Sequence, residues 1–121
     1  MAGVGRISWW DRVPLPWRRW RVVLEVDAAD EIPHKLPRRT AVIVANSGQR
    51  TWIAFDCPCT LRHRLLINLE PTRRPFWTVS GAKRLTLGPS VDDITQTRRC
   101  HFWLRKGAIQ WVHNNSEGPR P

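Results

Sequence analysis

Tyrosine is absent from this chain of 121 residues, cysteine occurs three times, and ten Asp and Glu face twenty Lys and Arg. Each shortage excludes something. No apolar run approaches the roughly 18 residues that a membrane-spanning helix needs. The N-terminal stretch MAGVGRISWWDRVPLPWRRW is basic but has no continuous apolar segment, so no secretory signal is read there and a cytoplasmic location is expected. In that compartment a small, odd number of cysteines points to thiols or metal ligands, not to a disulfide framework. Internal repeats and low-complexity blocks are also missing.

The apolar fraction of 41% suffices for the core of one domain. Residues 1–18, with glycines and prolines between tryptophans and arginines, read as an irregular leader that folds back on the body. Residues 19–113 read as the folded domain and 114–121 as a loose tail. The formal charge of +10 should attract polyanions, whether nucleic acid, a membrane surface or an acidic protein. Its arginines come in scattered pairs (Arg18-Arg19, Arg38-Arg39, Arg73-Arg74, Arg98-Arg99), which is unlike a disordered nucleic-acid arm. The eight tryptophans are expected to fill the core first and to contact bases or partners second.

The domain reads as β-rich. RVVLEV (21–26), TAVIVA (40–45), TWIAF (51–55), RLLINL (64–69), FWTVS (76–80) and RLTL (84–87) are short, rich in β-branched and aromatic residues, and separated by turn formers. An antiparallel meander or small barrel follows. The one helical stretch, DAADEIPHKL, is cut by Pro33 to a turn or two. A closing hairpin in CHFWLRKGAIQWV, turning at Lys106-Gly107, would pair Leu104 with Ile109 and Phe102 with Trp111 on a core face. By the period of two, Cys100 shares that face while His101 and Trp103 point away.

Cys57 and Cys59 lie one residue apart. On a regular strand their side chains would sit about 6.6 Å apart, whereas zinc requires sulfurs roughly 3.8 Å apart. Pro58 sits where the necessary bend would be. His63 follows on a short loop, and Cys100 opens the closing hairpin, so Cys57, Cys59, His63 and Cys100 would complete a Cys3His zinc site. Buried thiols and a solvated His63 between Arg62 and Arg64 are the plainer alternative. Such a site is closed, so any catalysis must come from elsewhere. Ser90, in a tight turn after Pro89, could act as nucleophile with His101 as general base, oriented by Asp92 or Asp93. A turn-forming serine and a histidine on a polar sheet face remain the alternative. Cys100 as nucleophile ranks lower: His101 points the other way, although Arg98 and Arg99 would depress the thiol pKa.

The ordered blocks Ile32-Pro33…Leu36, C-P-C followed by His63-Arg64, LINLEPTRRPFW, LTLGPSV and RRCHFWLRKGAIQW resemble a small bacterial family, over about residues 20 to 113. That family carries C-P-C…H-R, N-L…R-P-x-W, L-x-P-S-[IV], R-C-H-[FY] and G-x-[IV]-x-W. Its genes lie beside those of bacterial ubiquitin-like conjugation systems, in clusters linked to anti-phage defence. The resemblance implies a peptidase or deconjugase acting on a ubiquitin-like protein, with E1-like and E2-like enzymes as further partners. It implies Cys57, Cys59, Cys100 and His63 as metal ligands and Ser90 with His101 as the reactive pair. A noncatalytic zinc-binding scaffold of the same pathway is the alternative, and a basic nucleic-acid-binding domain comes third. Thr60 replaces the family glycine, Leu61 stands where some members have a further cysteine, and Arg98 marks the R-C-H branch.

Overall fold

Short segments rich in apolar and β-branched residues form eight strands among the described residues, and most of them alternate buried with more exposed positions. They are β1 (Arg21–Val26), β2 (Thr40–Asn46), β3 (Gln49–Asp56), β4 (Arg64–Asn68), β5 (Thr78–Ser80), β6 (Thr86–Ile94), β7 (Arg99–Arg105) and β8 (Ala108–Trp111). The computed structural model describes residues 7–13, 15, 17–59, 62–94 and 99–112. The expected tail, Pro14, Pro16, Thr60, Leu61 and Arg98 fall outside the described residues.

The strands form two four-stranded sheets, in the orders β1-β2-β3-β4 and β5-β6-β7-β8. Their inner faces supply one core: Ala41, Ile43, Ile53, Phe55, Leu65 and Ile67 from the first sheet meet Leu87, Val91, Phe102 and Leu104 from the second. Phe55 and Phe102 are both fully buried and meet edge to face across that core, with ring centroids 6.4 Å apart. The β-rich domain is thus a two-sheet packing. One pair, β1 and β2, runs parallel, because the connection from Asp27 to Arg39 crosses over and does not turn back as a hairpin. Only a short 3-10 turn, Ala29–Glu31, forms in that connection, in keeping with Pro33. Strand β2 is buried on both faces, Val42 and Val44 as well as Ala41 and Ile43.

The closing hairpin has the register expected from its sequence: Leu104 faces Ile109 and Phe102 faces Trp111. Both turn residues have positive φ, 50° at Lys106 and 78° at Gly107, as a tight hairpin turn requires. A Cβ at Gly107 would also come within 2.6 Å of the Arg19 Cβ.

Two sequence expectations need correcting. Ser90 does not sit in a turn; β6 runs on from Thr86 to Ile94 through a bulge. Leu87 pairs with Leu104 and Val91 with Phe102, so Gly88, Pro89 and Ser90 together face Trp103. Proline is admitted to a strand at such a place because its missing N–H costs no ladder bond there. The tryptophans also divide: Trp20 is buried and Trp77 and Trp111 pack against the core, but Trp9, Trp10 and Trp17 are 74%, 51% and 72% exposed. Near them the leader is tied to the body through Asp11, which pairs with Arg21 at 3.2 Å. No helix among the described residues is long and apolar enough to cross a membrane.

Candidate functional site

Two clusters form on opposite faces of the same pair of strands. In β6 and β7, Asp92 pairs with His101 and Asp93 with Cys100. Strand alternation therefore sends Ser90, Asp92 and His101 to the outer face and Asp93 and Cys100 to the inner one.

On the outer face, Ser90 Oγ and His101 Nε2 are 3.0 Å apart. The hydroxyl donates when the imidazole carries its proton on Nδ1, which leaves Nε2 as the acceptor. The serine backbone is held from the other side: the Trp77 indole N–H donates to the Ser90 carbonyl at 3.1 Å. Trp77 is itself placed by Asn68. The Asn68 side-chain amide donates to the carbonyls of Glu70, Arg73 and Pro75, and the Trp77 backbone N–H donates to the Asn68 carbonyl. The N-L…R-P-x-W signature is therefore a brace that ends on the serine peptide. Its residues are legible as a motif, but periodicity assigns them no role.

Neither aspartate orients His101. Asp92 accepts two hydrogen bonds from Arg99, at 2.9 and 2.8 Å, and Asp93 is bonded to His63. The guanidinium of Arg99 holds the Asp92 carboxyl below its ordinary range. His101 Nδ1 is buried with no hydrogen-bond partner among the described residues. The outer cluster is therefore a serine–histidine pair.

The inner cluster gathers all four expected ligands. One ligand atom from each of Cys57, Cys59, His63 and Cys100 lies within 4.8 Å of the other three. The loop after β3 makes this possible: the Cys57 N–H donates to the His63 carbonyl at 2.8 Å, and the Arg62 N–H to the Cys59 carbonyl at 3.2 Å. Those bonds bring the two ends of the loop together, and the chain bends at Pro58 and Cys59. The three cysteines are buried and free of disulfides. His63 turns Nδ1 toward Cys59 Sγ, 3.5 Å away, and its Nε2 lies 2.9 Å from Asp93 Oδ2. With Nε2–H donating to the carboxylate, the Nδ1 lone pair faces the sulfurs, as in carboxylate–histidine–metal arrangements. Three sulfurs and one nitrogen at this spacing need only a slight contraction to reach tetrahedral bonding distances. The cluster can hold a metal ion.

Burial raises the pKa of both Cys57 and Cys100, with the neighbouring thiols contributing. This corrects the expectation that arginines would activate Cys100. Its thiol lies on the apolar inner face and is harder to ionise, which argues against it as a nucleophile.

Arg64 is the other residue that sequence reasoning passed over. It pairs with Asp56 at 2.8 Å and donates to the carbonyls of Pro33 and His34 at 3.2 and 2.8 Å. It thereby joins the crossover to the strands flanking the loop of Cys57, Cys59 and His63, and links the Ile32-Pro33 block with the H-R block.

A family model described as "Bacterial ubiquitination-like system serine protease (BubE)" matches residues 28–112. The chain belongs to the BubE family. It is thus a member of a serine protease family of a bacterial ubiquitination-like system. The BubE match takes in Cys57, Cys59, His63 and Cys100, the Trp77 brace, and both Ser90 and His101. No curated protein and no solved structure matches the chain.

Proposed function

We propose that the protein is a peptidase that releases or matures a ubiquitin-like protein by cutting after its C-terminal tail, in a conjugation pathway linked to anti-phage defence. The observation that carries this reading is the 3.0 Å contact between Ser90 Oγ and His101 Nε2, in a chain of a serine protease family. Ser90 attacks the scissile carbonyl while His101 takes its proton. The imidazolium then returns that proton to the leaving amine, an acyl-enzyme forms, and His101 next activates a water to hydrolyse the ester. Pro89 has no N–H to offer, so the Ser90 N–H is the local backbone candidate for the oxyanion.

The Cys57, Cys59, His63 and Cys100 set suits zinc, which as a closed four-ligand centre would supply folding energy and no open position for substrate. Its ligands then keep the β3–β4 loop against β7, whose next residue after Cys100 is His101. The surplus of positive charge suits an acidic partner.

The test is cleavage of a precursor or conjugate of a BubE-system ubiquitin-like protein by wild type, Ser90→Ala and His101→Ala. Turnover by wild type and its loss in both variants is expected. Undiminished turnover in the variants rejects the assignment, and saturable binding without any turnover identifies a scaffold instead.

A further inference from the structure

Strand β5 pairs with β6 only from Thr86 to Gly88, although β6 continues to Ile94. From Pro89 onward, β6 has no strand beside it on that side among the described residues. Two observations say which backbone groups this exposes. The Ser90 carbonyl points away from β7, because it accepts from the Trp77 indole. The His101 carbonyl points to β8, because it accepts from the Val112 N–H, so the Asp92–His101 pair is a non-hydrogen-bonded one in the β6–β7 ladder. Both place the N–H and C=O of Asp92, and by the period of two those of Ile94, along the open edge.

Beside that edge lies a groove of about 360 Å³, lined among others by Trp52, Leu66, Arg73, Arg74, Trp77 and Asp92. Its far wall belongs to β4, the edge strand of the other sheet. Leu66 on the β4 wall is 46% exposed, and Ile94, at the far end of the open β6 edge, is 68% exposed. Open edges are normally blunted by charge, proline or a covering segment. This one leads directly to the serine, and Trp77 both lines the groove and holds the serine peptide.

We infer that the Ser90–Ile94 edge binds the substrate tail on the acyl side of the scissile bond, as an added β-strand hydrogen-bonded to the backbone of Asp92 and Ile94. This rests on the peptidase reading, under which the acyl-side tail is the segment common to every conjugate. A paired extended strand bonds through every second residue, and its alternate side chains fall into or out of the groove.

The experiment measures binding to the Ser90→Ala protein of a synthetic peptide copying the C-terminal tail of a BubE-system ubiquitin-like protein. Backbone amides are replaced one at a time by esters, and cleavage of the intact precursor by wild type is followed in parallel. Esters at alternate positions should weaken binding about three- to tenfold, the loss of one hydrogen bond, with the intervening positions unaffected. Ile94→Pro, placed in the Ser90→Ala protein, removes only an outward N–H and should weaken binding by a similar factor while the fold is retained. An ester scan without alternation, or an unchanged Kd in Ile94→Pro, overturns the edge proposal. If wild type still cleaves the precursor, only this proposal falls. Alternation without cleavage would keep the edge and discard the peptidase, and no binding together with no cleavage would discard both.

Discussion

Asp93 and His63, 30 residues apart in the chain, meet at 2.9 Å between Oδ2 and Nε2. The contact fixes the imidazole so that its other nitrogen faces the sulfurs of Cys57, Cys59 and Cys100. It also ties the loop of Cys57, Cys59 and His63 to the strand that carries Ser90. Replacing Asp93 by Ala should weaken metal binding about 10–100-fold in competition against a chromophoric chelator. Asp93→Asn keeps an acceptor for Nε2–H and should lose much less. Equal affinity in Asp93→Ala and wild type would show that the carboxylate plays no part in the centre.

The ligand set itself makes a second prediction. Purified protein should contain one zinc per chain by elemental analysis, with the content falling sharply in Cys57→Ser and Cys100→Ser. Stripping the metal leaves three buried thiols and removes the tie between the loop and β7. The thermal midpoint should drop by on the order of 10 °C. A chain that melts at the same temperature with and without chelator would mean that the cluster is a packed group of thiols.

Ser90 and His101 form one unit, so their losses should not add. Each single alanine variant should lower kcat by about three orders of magnitude or more, and the double variant should be no slower than the worse single one. Additive losses would indicate that the two residues act in separate steps.

How far the sequence led depends on whether a feature is local. The Lys106-Gly107 turn, and the opposite faces of Cys100 and His101, follow from a two-residue turn and a period of two, and the structure has both. Most strand positions were legible for the same reason. The course of β6 was not, because Gly88-Pro89-Ser90 carries every local mark of a turn, and it is the pairing of Leu87 and Val91 with β7, of Gly88 with β5, and the Trp77 bond to Ser90 that accompany its extended course through a bulge. The division of labour between the two aspartates was equally hidden. Either could have been assigned to His101, yet Arg99 takes Asp92 from one face and His63 takes Asp93 from the other. The parallel pairing of β1 and β2 depends on where a connection from Asp27 to Arg39 runs, and no periodicity inside the strands records that path. The exposure of Trp9, Trp10 and Trp17 went against the expectation from composition, since counting tryptophans does not say which ones a short leader can bury.

The indole N–H of Trp77 should act on the reaction through Ser90, while the ring surface that lines the groove is largely kept when phenylalanine replaces it. Trp77→Phe removes the 3.1 Å hydrogen bond to the Ser90 carbonyl while keeping most of the packing. Loss of one such bond is worth about 0.5–1.5 kcal/mol, so kcat should fall about two- to tenfold with KM nearly unchanged. A rise in KM at constant kcat would mean that Trp77 acts only by lining the groove and not through the Ser90 carbonyl.

The pH dependence of stability can be traced at Asp92. Arg99 holds the Asp92 carboxyl below its ordinary value of 3.8, so the folded state releases this proton more readily than the unfolded chain does. The resulting stabilisation is fully present above the unfolded value and is lost as the pH falls through the lower folded one. About a third of each partner is exposed, at 31% for the arginine side chain and 35% for the aspartate. Solvent therefore screens the pair, and its worth should be no more than about 1 kcal/mol. Asp92→Asn should melt slightly below wild type at neutral pH, and the two melting curves should draw together as the pH drops below 3.8. A gap that stays constant or widens in acid would mean that packing, and not the ion pair with Arg99, is what the substitution removes.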